Sequence, residues 1–233
     1  MGREITIIIP SLREKLLQRR ISEWEESNTG VDYEIIVISP FQVFGGKITW
    51  IKDNPPFKGS VNATDKGCAI AQGKYIVYMS DDVKPTKGCL RNIIEFMDKQ
   101  KIHPFLGAFK MIKPNGSEIG PFGVYNRFYA CYGCISKEDL MLLYGTLFKP
   151  SFKYSWADCD LSLRIWDKKG EVKICNNAIV IPEQENDEIY KEHRRLFFQQ
   201  DVDTFLGIWH GRLGFGLEKN DGAVNKKLSI KEV

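Results

Sequence analysis

The chain has 233 residues, of which 43% are hydrophobic, so it can bury a sizeable core and is neither disordered nor collagen-like. Its 33 basic and 30 acidic residues leave a formal charge of +3, too small to mark a nucleic-acid binder. No stretch approaches the ~20 apolar residues of a membrane span, and the first residues lack the long apolar region of a signal peptide, which reads as a cytoplasmic protein.

Residues 5–9, Ile-Thr-Ile-Ile-Ile stopped by Pro10, read as a central parallel strand buried on both faces. Ser11 is expected to cap a helix carrying Leu12, Leu16, Leu17, Ile21 and Trp24 on its inner side, with Arg13, Lys15, Arg19 and Arg20 on its wet face. Glu34–Ile38 then closes a right-handed βαβ unit. A short strand over Lys47–Ile51 runs into Asp53-Asn-Pro-Pro56, where proline forbids continuation. The pattern repeats with a helix capped by Ser60 and ended by Gly73, a buried strand over Tyr75–Met79, and a helix capped by Thr86 with Leu90, Ile93, Ile94 and Met97 inside. Alternating strands and helices imply a three-layer α/β/α sandwich around a Rossmann-like, mostly parallel sheet.

From about residue 104 the runs shorten (Phe105–Ile112 and Val124–Ile135) and are split by Pro114-Asn-Gly116 and Gly120-Pro121, which predicts an antiparallel extension. A helix over Trp156–Lys168 and a strand over Val172–Ile181 follow. The last residues are polar, with Lys219, Lys226, Lys227 and Lys231, and read as a surface tail over 216–233. The six cysteines read as reduced; Cys131-Tyr-Gly-Cys134 has no second ligand pair for zinc and is better explained by strand alternation within a core.

Two acidic clusters could carry chemistry. Asp81 and Asp82 follow a buried strand, at the carboxyl edge where open α/β sheets bind ligands, and two adjacent carboxylates suit a hard divalent ion. A solvated turn before Pro85 is the equally weighted alternative. Asp158 and Asp160 open a helix, where carboxylates ordinarily cap free N–H groups. Arg164 is spaced to pair with Asp160, and a carboxylate held at such a mouth can act as a general base toward a hydroxyl.

The successive blocks Ile5–Ser11, Glu34–Ile38, Lys58–Gly67 with Ala71–Ile76, Met79–Pro85, Gly133, and Ala157–Arg164 together resemble family 2 glycosyltransferases, in order and in spacing, over residues 4–182. The resemblance implies a GT-A fold, a nucleoside diphosphate sugar donor, expected to be UDP-linked, and a Mn²⁺ or Mg²⁺ ion on a DxD motif. It also implies inverting transfer to a hydroxyl of a glycan or lipid-linked acceptor, as in polysaccharide biosynthesis. Carried over by position, Asp82 with Asp81 would hold the metal and Asp158 would be the base. Pro10, Ser11, Ser39, Asp65, Ser80 and Asp81 would surround the nucleotide. Ser39 stands where the family has a base-reading Asp, Ser80 replaces the first DxD carboxylate, and Ala157 replaces the first member of the acidic pair. These departures keep a catalytically silent binding or scaffold domain open as the alternative. Near the C-terminus His210 is the candidate third metal ligand and Arg212 the candidate diphosphate contact, beside the plainer reading of His210 as a packed histidine. His103 and His193 read as surface residues. The expected organisation is a single domain with a donor half over 1–103 and an acceptor half over 104–215. The lysine-rich tail is compatible with peripheral association at the inner membrane face.

Overall fold

A computed structural model describes residues 3–183 and 187–212. The expected lysine-rich tail over 216–233 lies outside the described residues.

The first half follows the expected rhythm: β1 (Ile5–Pro10), α1 (Glu14–Ser27), β2 (Tyr33–Ser39), β3 (Ile48–Lys52), α2 (Ser60–Ile70), β4 (Tyr75–Tyr78), β5 (Val83–Pro85) and α3 (Cys89–Asp98). The second half supplies β6 (Phe105–Ile112), β7 (Glu118–Ile119), β8 (Gly123–Val124), β9 (Arg127–Phe128), β10 (Gly133–Ser136), α4 (Lys137–Leu142), α5 (Ala157–Asp167), β11 (Glu171–Pro182) and α6 (Glu188–Trp209). The main sheet runs β3-β2-β1-β4-β10-β6-β11-β5, with β7 paired to β6. β1 to β4 are parallel, β10 enters antiparallel between β4 and β6, and β6 pairs parallel with β11. The antiparallel extension is therefore real but partial, because β6 and β11 resume the direction of β4.

The continuous apolar strands are explained by the two cores they divide. Ile5, Ile7, Ile9, Ile35 and Val37 join Leu17, Ile21, Trp24, Ile93 and Met97 of α1 and α3 on one face. Ile8, Ile36 and Ile38 join residues of α2, α5 and α6 on the other, including Val61, Leu161, Phe205 and Trp209. Three layers result, as expected. Gly73 lets the α2–β4 turn lie on β1, where a Cβ would come within 2.5 Å of Ile5 backbone carbon. The Cys131/Cys134 alternation holds: Cys134 is buried in the α1/α3 core, Cys131 packs against the other, and all six cysteines are free thiols.

Three local expectations change. Ser11 does not cap α1, which begins at Glu14 with Arg13 in the capping position; the Ser11 hydroxyl instead donates to Asp81. Ser60 and Thr86 likewise leave the N-cap positions of α2 and α3 to Gly59 and Gly88. Arg20 is not on a wet face: it is fully buried, its guanidinium pairing with Glu23 and with Glu183 and donating to the Asp81 carbonyl. That buried cation ties α1 both to the turn after β4 and to the segment after β11.

Candidate active site

A cavity of about 440 Å³ opens at the carboxyl ends of β1 and β4. Its walls include Pro10, Ser11 and Arg13 after β1, Asp53 after β3, Ser80 and Asp81 after β4, Tyr154 to Asp158 at the mouth of α5, and a face of α6.

The strand-end wall is knit around Asp81. Ser11 Oγ donates to Asp81 Oδ2 at 2.5 Å, and Arg13 Nη1 reaches Asp81 Oδ1 at 2.8 Å. Arg13 Nε continues to Asp187 at 2.6 Å, the residue that caps α6. Burial pushes the Asp81 carboxyl above the usual carboxylate range, against the lowering effect of Ser11 and Arg13. Burial also disfavours the Arg13 charge, but its hydrogen bond to Asp187 and the charges of Asp81, Asp187 and Asp82 outweigh that and hold the guanidinium firmly protonated. Asp187 is drawn below its usual range, chiefly by Arg13.

Asp82, beside this network, has Oδ1 buried with no hydrogen-bond partner among the described residues. An orphaned carboxylate oxygen next to a second carboxylate is costly unless a cation meets it. Asp81, Asp82 and Asp187 act on the Arg13 guanidinium, and Asp81 with Asp82 would hold a divalent ion whose remaining positions a diphosphate and water would fill. Among the described residues no three His, Cys, Asp or Glu side chains cluster as a complete metal site.

Asp158 lines the cavity at the first turn of α5, where its Oδ1 accepts the Cys159 N–H at 2.9 Å. Two buried carboxylates position this wall. Asp160 accepts from Arg164 Nε, Lys149 Nζ and Trp209 Nε1, each at 2.9 Å, which realises the expected Asp160–Arg164 pair and joins α5 to α6. Asp201, fully buried on α6, accepts the backbone N–H groups of Lys153, Tyr154 and Ser155 at 2.8–2.9 Å, fixing the segment that leads into Asp158. Ser155 Oγ, also on the cavity wall, is buried without a partner among the described residues.

Of the expected site residues, Pro10, Ser11, Ser80, Asp81 and Asp158 share this cavity, and Asp82 adjoins it. The others do not line it. Ser39 is fully buried, its hydroxyl donating to the Phe41 carbonyl and accepting from Trp50 Nε1. Asp53, at the end of the neighbouring strand and paired with Lys66 at 2.6 Å, is the carboxylate that reaches the cavity there. Asp65 binds the backbone N–H groups of Leu147 and Phe148, and burial raises its pKa. Arg212 faces Asp167 at 3.6 Å and lies over Trp209, while His210 is exposed just past α6. Neither is brought to the cavity, because α6 runs away from it and carries its C-terminal end toward the far end of α5.

The same helix brings in His193 and Arg194 instead. His193 packs against the Tyr154 ring at 5.7 Å, and its pKa is lowered by burial and by Arg13. The signal is in the sequence: Ile189, Tyr190, His193, Arg194 and Phe198 recur at helical spacing and line the cavity as one face.

Comparison with known proteins bears on the fold. Residues 41–141 match the family described as Glycosyl transferase family 2, which bears out the resemblance read from the block order. A search of the curated proteins by sequence finds no match. Among solved structures, the chain is similar to the S. aureus TarS 1–349 complex with UDP-GlcNAc at TM-score 0.64 and 12% identity, covering 80% of this chain and 60% of that one. It is also similar to the mannosyltransferase PcManGT from Pyrobaculum calidifontis with GDP-Man and Mn²⁺, at TM-score 0.65 and 14% identity, covering 91% and 66%. A third is GalNAc-T7 with UDP, GalNAc and Mn²⁺, at TM-score 0.60 and 12% identity, covering 88% and 50%. The chain therefore has the fold of these glycosyltransferases, with family 2 similarity over residues 41–141, and spans only half to two-thirds of the length of these structures.

Proposed function

We propose that the chain is an inverting glycosyltransferase that moves a sugar from a nucleoside diphosphate sugar, UDP-linked in the first instance, to a hydroxyl of a glycan or lipid-linked acceptor. The observation that carries this reading is the meeting of Asp81 and Asp158, from opposite walls, in one cavity at the carboxyl edge of the sheet. Nucleotide sugars or nucleotides in the three similar structures support it, and a cytoplasmic location is the accompanying reading.

In the proposed step the acceptor oxygen bonds to the anomeric carbon as the bond from that carbon to the diphosphate oxygen breaks. Asp158 takes the acceptor proton, and the nucleoside diphosphate leaves. Arg13, Arg194 and His193 are the cationic and hydrogen-bonding groups available to the departing phosphates. Mn²⁺ or Mg²⁺, held by Asp82 and Asp81, would neutralise charge on the diphosphate. The donor half would be residues 1–103 and the acceptor half 104–215.

Asp82→Ala is expected to abolish metal-dependent nucleotide release from the donor while the protein stays folded. Unchanged turnover would remove the metal assignment. A silent binding domain is the second reading, favoured by the sealing of Ser39 and by the engagement of both Asp81 oxygens with Ser11 and Arg13. Calorimetry separates the two: metal-dependent binding of UDP or GDP supports the enzyme, and binding of neither supports the silent domain.

A further inference from the structure

The end of the sheet opposite the cavity has a different character. Four connections converge there: residues 70–74 between α2 and β4, 98–104 between α3 and β6, 137–145 over α4 and its turn, and 167–170 between α5 and β11. Their convergence is fixed by Lys137 N–H bonding the Lys74 carbonyl, Glu171 N–H bonding the Pro104 carbonyl, and His103 Nδ1 lying 2.7 Å from Asp139. β10 ends at this edge because it runs antiparallel to β4 and β6, so α4 is delivered to the face away from Asp81 and Asp158.

Five of the seven large apolar side chains exposed among the described residues sit on these connections: Ile70 (47%), Ile102 (45%), Met141 (71%), Leu142 (52%) and Tyr144 (82%). Tyr144 and Gly145 both have positive φ, the turn that throws the Tyr144 side chain outward from α4. The same segments carry Lys74, Lys99, Lys101, Lys137, Lys168 and Lys169. Of their acids, Asp98 holds Lys74, Asp139 is buried against His103 and Asp167 faces Arg212, while Glu138 is exposed and outnumbered by the lysines. Lys99, Lys101, Lys137, Lys168 and Lys169 enter no ion pair among the described residues. Lys168 sits 5.1 Å from the Tyr144 ring centroid with its Nζ 3.5 Å from the hydroxyl, an aromatic with an apolar body and a cationic neighbour.

We propose that this end of the molecule is a docking surface for an anionic lipid bilayer. Met141, Leu142 and Tyr144 insert at headgroup level, flanked by Ile70 and Ile102, while the lysines meet the lipid phosphates. Charge complementarity selects the bilayer over a second copy of the chain, since two copies meeting through this face would bring their unpaired lysines together. No helix among the described residues is long and apolar enough to span a membrane, so this is surface attachment. It would hold the cavity at the end of the molecule facing away from the lipid, which favours the glycan over the lipid-linked acceptor.

Co-sedimentation of the full chain with vesicles tests this. Binding is expected to vesicles of phosphatidylcholine with phosphatidylglycerol, to be absent with phosphatidylcholine alone, and to weaken with salt. The triple variant Met141→Ser, Leu142→Ser, Tyr144→Ser should lose binding with its melting temperature kept. Lys101→Ala with Lys168→Ala should weaken binding about 25-fold, at about fivefold for each lysine near an anionic surface. No vesicle binding, equal binding to both lipid compositions, or full binding by both variants overturns the proposal. So does a wild-type dimer that the triple variant converts to monomer.

Discussion

The wall of the cavity built by β1 and β4 and the wall built by α5 and α6 are supported differently. Behind Pro10, Ser11 and Asp81 lie parallel strands whose ladders and two-sided cores fix the backbone, so the side chains there need only short reaches to one another. Asp158 stands instead at the start of a helix, α5, which packs on β6 and β11 through Leu161 and Ile165. The polar ties that set its mouth are two fully buried carboxylates: Asp160, which gathers Lys149, Arg164 and Trp209, and Asp201, which gathers three successive backbone N–H groups. A wall built on strand ends tolerates loss of one polar contact, whereas a wall hung on single buried charges does not.

The largest effect should come from the chemistry of the second wall. Asp158→Asn is expected to lower transfer by about 10²–10⁴-fold. Nucleotide binding should be retained, as checked by steady-state turnover beside calorimetry. Retained transfer would assign the base elsewhere. Next, Asp160→Ala strands Arg164 and Lys149 and should cost about 3–5 kcal/mol in denaturant unfolding. Asp201→Asn, which offers one accepting oxygen where three N–H groups need two, should cost about 1–3 kcal/mol. It should lower turnover more than nucleotide affinity, because it loosens the segment leading into Asp158.

The clasp between the walls, Arg13 to Asp187, gives the smallest effect and a pH signature. The Asp187 pKa is depressed by Arg13, so its contribution is present above the ordinary aspartate range and is lost as pH falls through the depressed value. Melts of wild type and Asp187→Asn should differ at neutral pH and converge in acid. A difference that persists in acid would show that the clasp is not held by this charge.

The first wall was largely legible in the sequence because its determinants are local. Ile5–Pro10, Tyr75–Tyr78 and the Asp81-Asp82 pair each announce a strand and its end within a few residues. The second wall was legible only where spacing was local, as with Asp158 and the Asp160–Arg164 pair. α6 was missed as a cavity wall because its inner face is polar and aromatic, and His193 read as a surface residue until the fold brought it, with Arg194, to the cavity. The same long-range packing took Arg212 to Asp167 and buried Arg20, which helical spacing alone had set outward.

Titration calorimetry of the full chain with UDP and GDP, with and without Mn²⁺, bears most directly on the glycosyltransferase reading. Binding of one diphosphate that depends on the metal and disappears in Asp82→Ala is the predicted result; no binding of either nucleotide under any condition would contradict it.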